Sequence, residues 1–165
     1  MKLCDTGERR EFDTGAVRDI AEGKGRFDLM PLDVLTNVFS CDWMLERISE
    51  YVICGRVGEL YNAIEIFATM AFADKWTAML EVAKHFEDGC AKYGEHNWEK
   101  GIPLHSYIDS AVRHYLKYRR GDTDERHDRA VLWNLMCAIW THKHKPDMID
   151  IAFKAGEELA SGVYN

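Results

Sequence analysis

Apolar residues recur three and four apart through most of the chain, interrupted by short polar breaks that carry glycine or proline, which is the pattern of packed helices. Over 31–53 the set Leu32, Leu35, Val38 and Phe39 keeps that spacing, with Pro31 suited to a first turn and Gly55 just past the end. Leu60, Ile64, Phe67 and Ala68 predict a second helix over 57–72. A third, over 74–93, is expected to turn Met79, Leu80, Ala83, Phe86, Cys90 and Tyr93 inward and to stop at Gly94. The stretch EHNWEKGIP, 95–103, reads as a turn-rich connection, and Pro103 opens a helix over 103–120 that ends at Gly121. Asp122, with Glu125 three residues on, predicts a cap and an acidic first turn for a helix over 123–143. Pro146 opens a last helix ending near Gly162. Residues 1–30 lack a helical period, carry Gly7, Gly15, Gly23 and Gly25, and read as an arm with short strand signals near 16–28. The predicted fold is all-α, a helical bundle of about five to six helices with an irregular N-terminal arm, in a single domain over 1–165.

Composition narrows this picture. With 165 residues, 47% of them hydrophobic, the core has no need of disulfides or a structural metal. The cysteines, Cys4, Cys41, Cys54, Cys90 and Cys137, are odd in number, scattered and without CxxC spacing, so they read as reduced thiols, mostly in the core. No apolar leader opens the chain, and the most apolar stretch, 130–140, is too short to span a bilayer, so a soluble cytoplasmic protein with no membrane partner is expected. A net charge of −7 argues against duplex DNA as a partner. The charge is unevenly spread: 29–91 carries −6, whereas 92–145 carries +3 together with six of the seven histidines. Groups suited to phosphate, metal or base are therefore concentrated in one segment, which reads either as a binding region or as a solvated basic helix pair.

Two helices carry the candidate chemistry. On 103–120, Leu104, Tyr107, Ile108, Ala111, Val112 and Tyr115 form the apolar stripe, while Asp109/Arg113 and Ser110/His114 lie four apart on the other side. That side is either a pocket wall or an ordinary solvent face. Residues 130–140, AVLWNLMCAIW, are apolar nearly all round, yet Asn134 sits among them. An unpaired buried amide costs about 1–3 kcal/mol, so Asn134 must meet another protein group or a ligand. His127, Asn134 and Thr141 are seven apart and share a stripe beside the small Ala130. Asp124 precedes His127 by three, and a carboxylate one turn from an imidazole can hold a divalent metal or orient a water. His127-Asp128 also reads as the dipeptide of HD phosphohydrolases, with His85 or His114 and Asp147 as further ligands. In the arm, Arg18, Lys24, Arg26 and Asp28 surround Gly23 and Gly25, where cations and backbone N–H groups can wrap phosphate oxygens. The sequence GKGRF there is not a Walker loop.

The segments TGAVRD…GKGRFDLMP (14–31), KYGEHNWEKGIP (92–103), SYIDSAVRH (106–114) and GDTDERHDRAVLWN (121–134), followed by Thr141, together resemble the phage-type dATP/dGTP diphosphohydrolase N-terminal family. That family is related to MazG-like enzymes, all-α proteins that release pyrophosphate from purine deoxynucleotides. The resemblance covers about half the chain and leaves 36–80 as an inserted helical pair, with the last helix also outside it. Glu125-Arg-His-Asp128 matches the ExxD half of the MazG-like carboxylate quartet, and Glu87 and Asp88, with Glu81, are the nearest approach to the ExxE half.

The resemblance implies nucleotide and phosphate contacts from Arg18, Lys24, Arg26, Lys92, Tyr93, Asn97, Trp98, Lys100, Ser110, Arg113, His114 and Asn134. Trp98 and Tyr93 would offer stacking platforms for a base. It implies catalytic roles for Asp124, His127 and Glu87, and a magnesium or manganese ion held by Glu87, Asp88, Asp124 and His127. The function so implied is metal-dependent conversion of dGTP or dATP to monophosphate and pyrophosphate in a homo-oligomer. The alternative is a phage protein that sequesters a nucleotide-derived immune signal without cleaving it.

Overall fold

The computed structural model describes residues 7–32, 34 and 42–154. Within them the chain forms a short hairpin, β1 Arg9–Glu11 and β2 Val17–Asp19, and five helices: α1 Trp43–Cys54, α2 Val57–Ala71, α3 Lys75–Tyr93, α4 Leu104–Arg120 and α5 His127–His144. The all-α expectation agrees with this architecture. Among the described residues no helix is long and apolar enough to cross a membrane.

Helices α4 and α5 lie along one another and carry most of the core. Tyr107, Ile108, Ala111, Val112 and Tyr115 of α4 meet Val131, Leu135 and Ala138 of α5, all fully buried, and α1 and α2 add Met44, Ile48, Leu60 and Phe67. Burying such side chains stabilises the fold by roughly 1.5–3 kcal/mol each. Cys137 lies in this core, Cys54 is half-buried and Cys90 exposed, while Cys4 and Cys41 fall outside the described residues.

Three helix boundaries differ from the sequence pattern. The helix expected over 31–53 is not continuous: Asp42 is extended and its carboxylate accepts from Leu45 N at 3.1 Å, which starts a separate helix at Trp43. Leu35, Val38 and Phe39 lie outside the described residues. Asp42 also takes the Tyr115 hydroxyl at 2.6 Å and Arg119 at 2.7 Å, tying the start of α1 to α4. The helix expected over 123–143 starts at His127, because Asp122 is held by Arg120 and Asp124 by Lys117 instead of capping backbone N–H groups. Pro146 opens only a three-residue 3-10 turn, Pro146–Met148. The chain then runs back across the bundle, where Asp150 accepts from His105 N and Lys154 N donates to Ile53 O at 2.7 Å. Phe153 rests edge-on against Tyr51 at 5.6 Å, with its ring only 2.8 Å from where a Cβ at Gly55 would stand; Gly55, at φ 69°, therefore has to be glycine. Residues 155–162 of the expected helix lie outside the described residues.

Helix α3 is also rotated from its expected setting. Ala78, Val82 and His85 are buried, whereas Met79 and Leu80 are 61% and 70% exposed. Polar contacts in the first half of the helix and at its C-terminal end accompany this rotation. Arg129 reaches Glu81 at 2.8 Å, and Asp19 holds the Lys92 ammonium and the Tyr93 hydroxyl, each at 2.9 Å.

The arm, expected to be irregular, pairs as an antiparallel hairpin with Arg10 opposite Arg18. Asn97 fastens it to the bundle: its Oδ1 accepts from Val17 N and its Nδ2 donates to Val17 O, both at 2.8 Å, so one side chain completes the outer edge of β2. Thr14 adds a hydroxyl bond to Gly101 O, and Ala16 is fully buried. Asn97→Ala strips Val17 of both partners. The expected cost is about 1–3 kcal/mol, with faster amide exchange over residues 9–19. Urea unfolding and hydrogen-exchange mass spectrometry measure the two effects.

Candidate functional site

The docked hairpin roofs a cavity of about 430 Å³ whose other walls come from α3, α4 and α5. The polar face of α4 is thus a pocket wall, not a solvent face: Ser106, Asp109 and Ser110 are all buried. Arg18 reaches across from β2. Its Nη2 donates to Ser110 Oγ and Asn134 Oδ1, both at 3.0 Å, and its guanidinium carbon stands 4.9 Å from the Tyr107 ring centre and 5.8 Å from that of Trp133. Asn134 Nδ2 donates to Ala130 O at 2.8 Å, so the buried amide is satisfied within the protein. Arg113 donates to Ser110 Oγ at 2.9 Å and Arg10 to Ser106 Oγ at 2.9 Å.

Three arginines therefore converge on two serine hydroxyls. Burial and then the neighbouring Arg18 hold the Arg10 and Arg113 guanidinium groups below their ordinary range, and burial does the same to Lys24 across the cavity. Three buried donor atoms on cavity-lining residues, Arg10 Nε, Arg18 Nη1 and Trp133 Nε1, have no hydrogen-bond partner in the protein. Each such donor costs about 1–3 kcal/mol unless an acceptor meets it. Such a wall can chemically accommodate acceptor oxygens and negative charge.

A second group stands at one end of the cavity. His114 Nδ1 and His127 Nδ1 are 2.9 Å apart, and Glu125 Oε1 is 3.4 Å from the first and 3.6 Å from the second. Asp124 Oδ1 lies 2.7 Å from His127 Nε2. Burial, with Arg113 and His127 nearby, keeps His114 well below the usual histidine range, and burial raises the Glu125 carboxyl. Lys117 and then His127 lower Asp124. Among the described residues, His114–Glu125–His127 and Asp122–Asp124–His127 are the groupings whose atoms are close enough to share a metal ion.

The structure brings Arg18, Lys24, Lys92, Tyr93, Asn97, Ser110, Arg113, His114, Asn134 and Asp124 to the cavity wall, with His127 directly behind Asp124. Several others stand elsewhere. Arg26 is spent on Asp28, at 2.7 and 2.6 Å, and on Asp109 at 3.3 Å. Trp98 packs edge-on against Trp140 at 5.0 Å, outside this cavity, and Lys100 is exposed. Glu87 is exposed on α3, and neither it nor Asp88 lines the cavity or joins a ligand grouping. Asp128 is held by Arg126 at 2.9 and 2.6 Å, so it does not pair with His127 as an HD site requires. Arg10, Ser106, Lys117 and Trp133 line the cavity without any signal in the sequence, and His85 and Glu125 line it too, which their sequence offers only as an HD ligand and as the first carboxylate of an ExxD pair. The spacing of Glu125 and His127, two apart at the mouth of a helix beside a histidine-bearing neighbour, is the signal that could have paired them.

Fold and site together define an all-α protein with an arginine- and serine-lined cavity beside a histidine–carboxylate cluster. A family model described as dATP/dGTP diphosphohydrolase, N-terminal, matches residues 66–151, more than half of the chain. The chain belongs to this family, whose description is that of a nucleotide hydrolase. Residues 66–80, placed by their sequence in an insertion, fall inside the matched span, and the arm lies before it. No curated protein and no solved structure matches the chain.

His85 sets a pH dependence. Burial pushes its imidazole down to about 4 from an ordinary 6.5. Between those values the unfolded chain binds a proton that the folded chain refuses, so stability rises with pH through the window and falls on acidification. The linked loss is at most about 3 kcal/mol. His85→Gln should lose less stability than the wild type when urea unfolding is followed downward through the same window.

Proposed function

We propose that this protein is a metal-dependent diphosphohydrolase acting on a purine deoxynucleoside triphosphate, dGTP or dATP, with monophosphate and pyrophosphate as products. The observation that carries the reading is the set of buried, unpartnered donors on Arg10, Arg18 and Trp133, residues that line a cavity to which Lys24 and Arg113 add further cations. Family membership supplies the reaction class.

In this reading the guanidinium groups of Arg10, Arg18 and Arg113 hold phosphate oxygens. They also stabilise the charge that moves onto the leaving pyrophosphate as water attacks the α-phosphorus and the bond to the bridging oxygen breaks. Lys24, on the arm, closes the opposite side. The wall at Tyr93 and Trp133 offers aromatic surface for the base. His127, with its neighbours His114 and Glu125 and with Asp124 behind it, would hold a divalent ion, which supplies polarisation of a phosphoryl oxygen and a more acidic water. Glu125, half-buried, would meet that ion through Oε1 and leave Oε2 to accept the proton that the attacking water gives up.

A second reading, sequestration of an intact nucleotide or nucleotide-derived signal, draws on the excess of donors over free carboxylates: Asp19 is already bound by Lys92 and Tyr93. Incubation with dGTP, dATP and their ribose counterparts in magnesium or manganese distinguishes the two. Hydrolysis yields monophosphate and pyrophosphate, resolved by ion-exchange chromatography. Intact nucleotides across the panel overturn it, and their recovery unchanged from heat-denatured protein supports sequestration. Lys24→Met, which removes a cavity cation, should weaken nucleotide binding by roughly tenfold or more in titration calorimetry.

A further inference from the structure

We propose that His114, Glu125 and His127 form a three-ligand centre for a transition-metal dication, with Asp124 orienting His127 and the remaining coordination position opening on the nucleotide cavity. The proposal names the ion of the reading above and rests on that reading only for its role in hydrolysis.

The three ligand atoms are separated by 2.9, 3.4 and 3.6 Å. A point about 2 Å from all three exists just off their plane, which is the length of a metal–imidazole or metal–carboxylate bond, and edges of this size belong to tetrahedral and octahedral coordination. The side chains are 13%, 14% and 1% exposed in the order His114, Glu125, His127, so the site is enclosed on the protein side. His114 and Glu125 are also part of the cavity wall, so the open side faces the cavity.

The partners of each group support the same assignment. Asp124 Oδ1 sits 2.7 Å from His127 Nε2, which fixes that nitrogen as the protonated one and leaves the Nδ1 lone pair for the ion, the carboxylate–histidine–metal arrangement. In the metal-free protein His114 Nδ1 donates a hydrogen bond to His127 Nδ1 across the 2.9 Å gap, and when the ion binds His114 takes the other tautomer, with its proton on Nε2, so that both imidazoles stay neutral. The competing grouping, Asp122–Asp124–His127, has its carboxylates engaged by cations: Asp122 by Arg120 and Asp124 by Lys117 at 2.9 Å. Glu125 makes no such ion pair with a lysine or arginine among those the described residues form. Two imidazoles and one carboxylate suit zinc, cobalt or manganese better than magnesium, which prefers oxygen ligands and keeps its waters. With two neutral imidazoles and one carboxylate, the filled site keeps one positive charge, which adds to the attraction the cavity holds for a phosphate.

The test uses cobalt(II) as probe on the full chain, stripped with chelator and dialysed, without nucleotide. One cobalt per chain is expected by equilibrium dialysis, with visible d–d absorption showing nitrogen ligation. Glu125→Gln should weaken cobalt binding at least tenfold, and Asp124→Asn should weaken it by 10–100-fold while keeping the stoichiometry. Asp122→Asn and the exposed His96→Gln should leave binding unchanged, and thermal melts of the metal-free variants show that each is folded. Absence of the absorption, retention of binding in folded Glu125→Gln, or its loss in Asp122→Asn overturns the proposal. Cobalt binding with this variant pattern in a protein that leaves every nucleotide intact sustains the metal centre while the hydrolase reading falls. Hydrolysis with magnesium in a protein without the cobalt site does the reverse.

Discussion

The Arg18 guanidinium is carried from the hairpin into the bundle, where one nitrogen is shared between Ser110 on α4 and Asn134 on α5 and the other is left without a protein partner. That single placement joins the arm to both central helices, closes the roof of the cavity and sets its charge. It depends in turn on Asn97, which holds the Val17 backbone and so fixes the register that points Arg18 inward. Because successive residues of a strand face opposite ways, a slip of one position would send Arg18 to solvent.

Gathering Arg10, Arg18 and Arg113 around hydroxyls costs stability. Like charges repel, each guanidinium is partly stripped of water, and the hydroxyls offer no charge in return. Elsewhere in the same molecule arginines are neutralised by carboxylates: Arg26 by Asp28 and Asp109, Arg126 by Asp128, Arg129 by Glu81. The contrast between these paired arginines and the cavity arginines is the physical content of the site. Asp109 and Glu125 offset the cavity arginines only in part, and a fold that keeps partly compensated charge in one place is preorganised for a ligand that brings the opposite charge.

Much of the bundle was legible because helix periodicity is local. The ends of α2, α3 and α4 fall within a residue or two of where Gly94, Pro103, Gly121 and the apolar spacing put them. Boundaries were missed where a carboxylate chose another partner over a helix-capping N–H, a neighbouring arginine for Asp122 and the distant His105 for Asp150. The rotation of α3 was missed for a similar reason: Met79 and Leu80 are apolar, but the face that turns inward goes with ion pairs at Glu81 and Lys92. In the site, Asn134 announced itself as a polar group in an apolar run, and the two outcomes it allowed were resolved by Arg18. Arg10 and Trp133 carried no such signal, since their roles depend on the hairpin register and on helix packing between residues far apart in sequence. Arg26 was misplaced because a glycine-flanked cation looks the same in sequence whether it faces a phosphate or the Asp28 and Asp109 carboxylates beside it.

On the proposed reading the cavity stores unpaired donors, two of them cationic, for a polyphosphate. Thermal unfolding in rising tripolyphosphate, against sodium chloride of equal ionic strength, tests it without assuming any chemistry at the phosphorus. Preferential binding to the folded state predicts a melting temperature that climbs with the logarithm of ligand concentration above its Kd, and a much smaller rise in Arg113→Met. A melting temperature that follows ionic strength alone, equal in the two salts, would contradict the account.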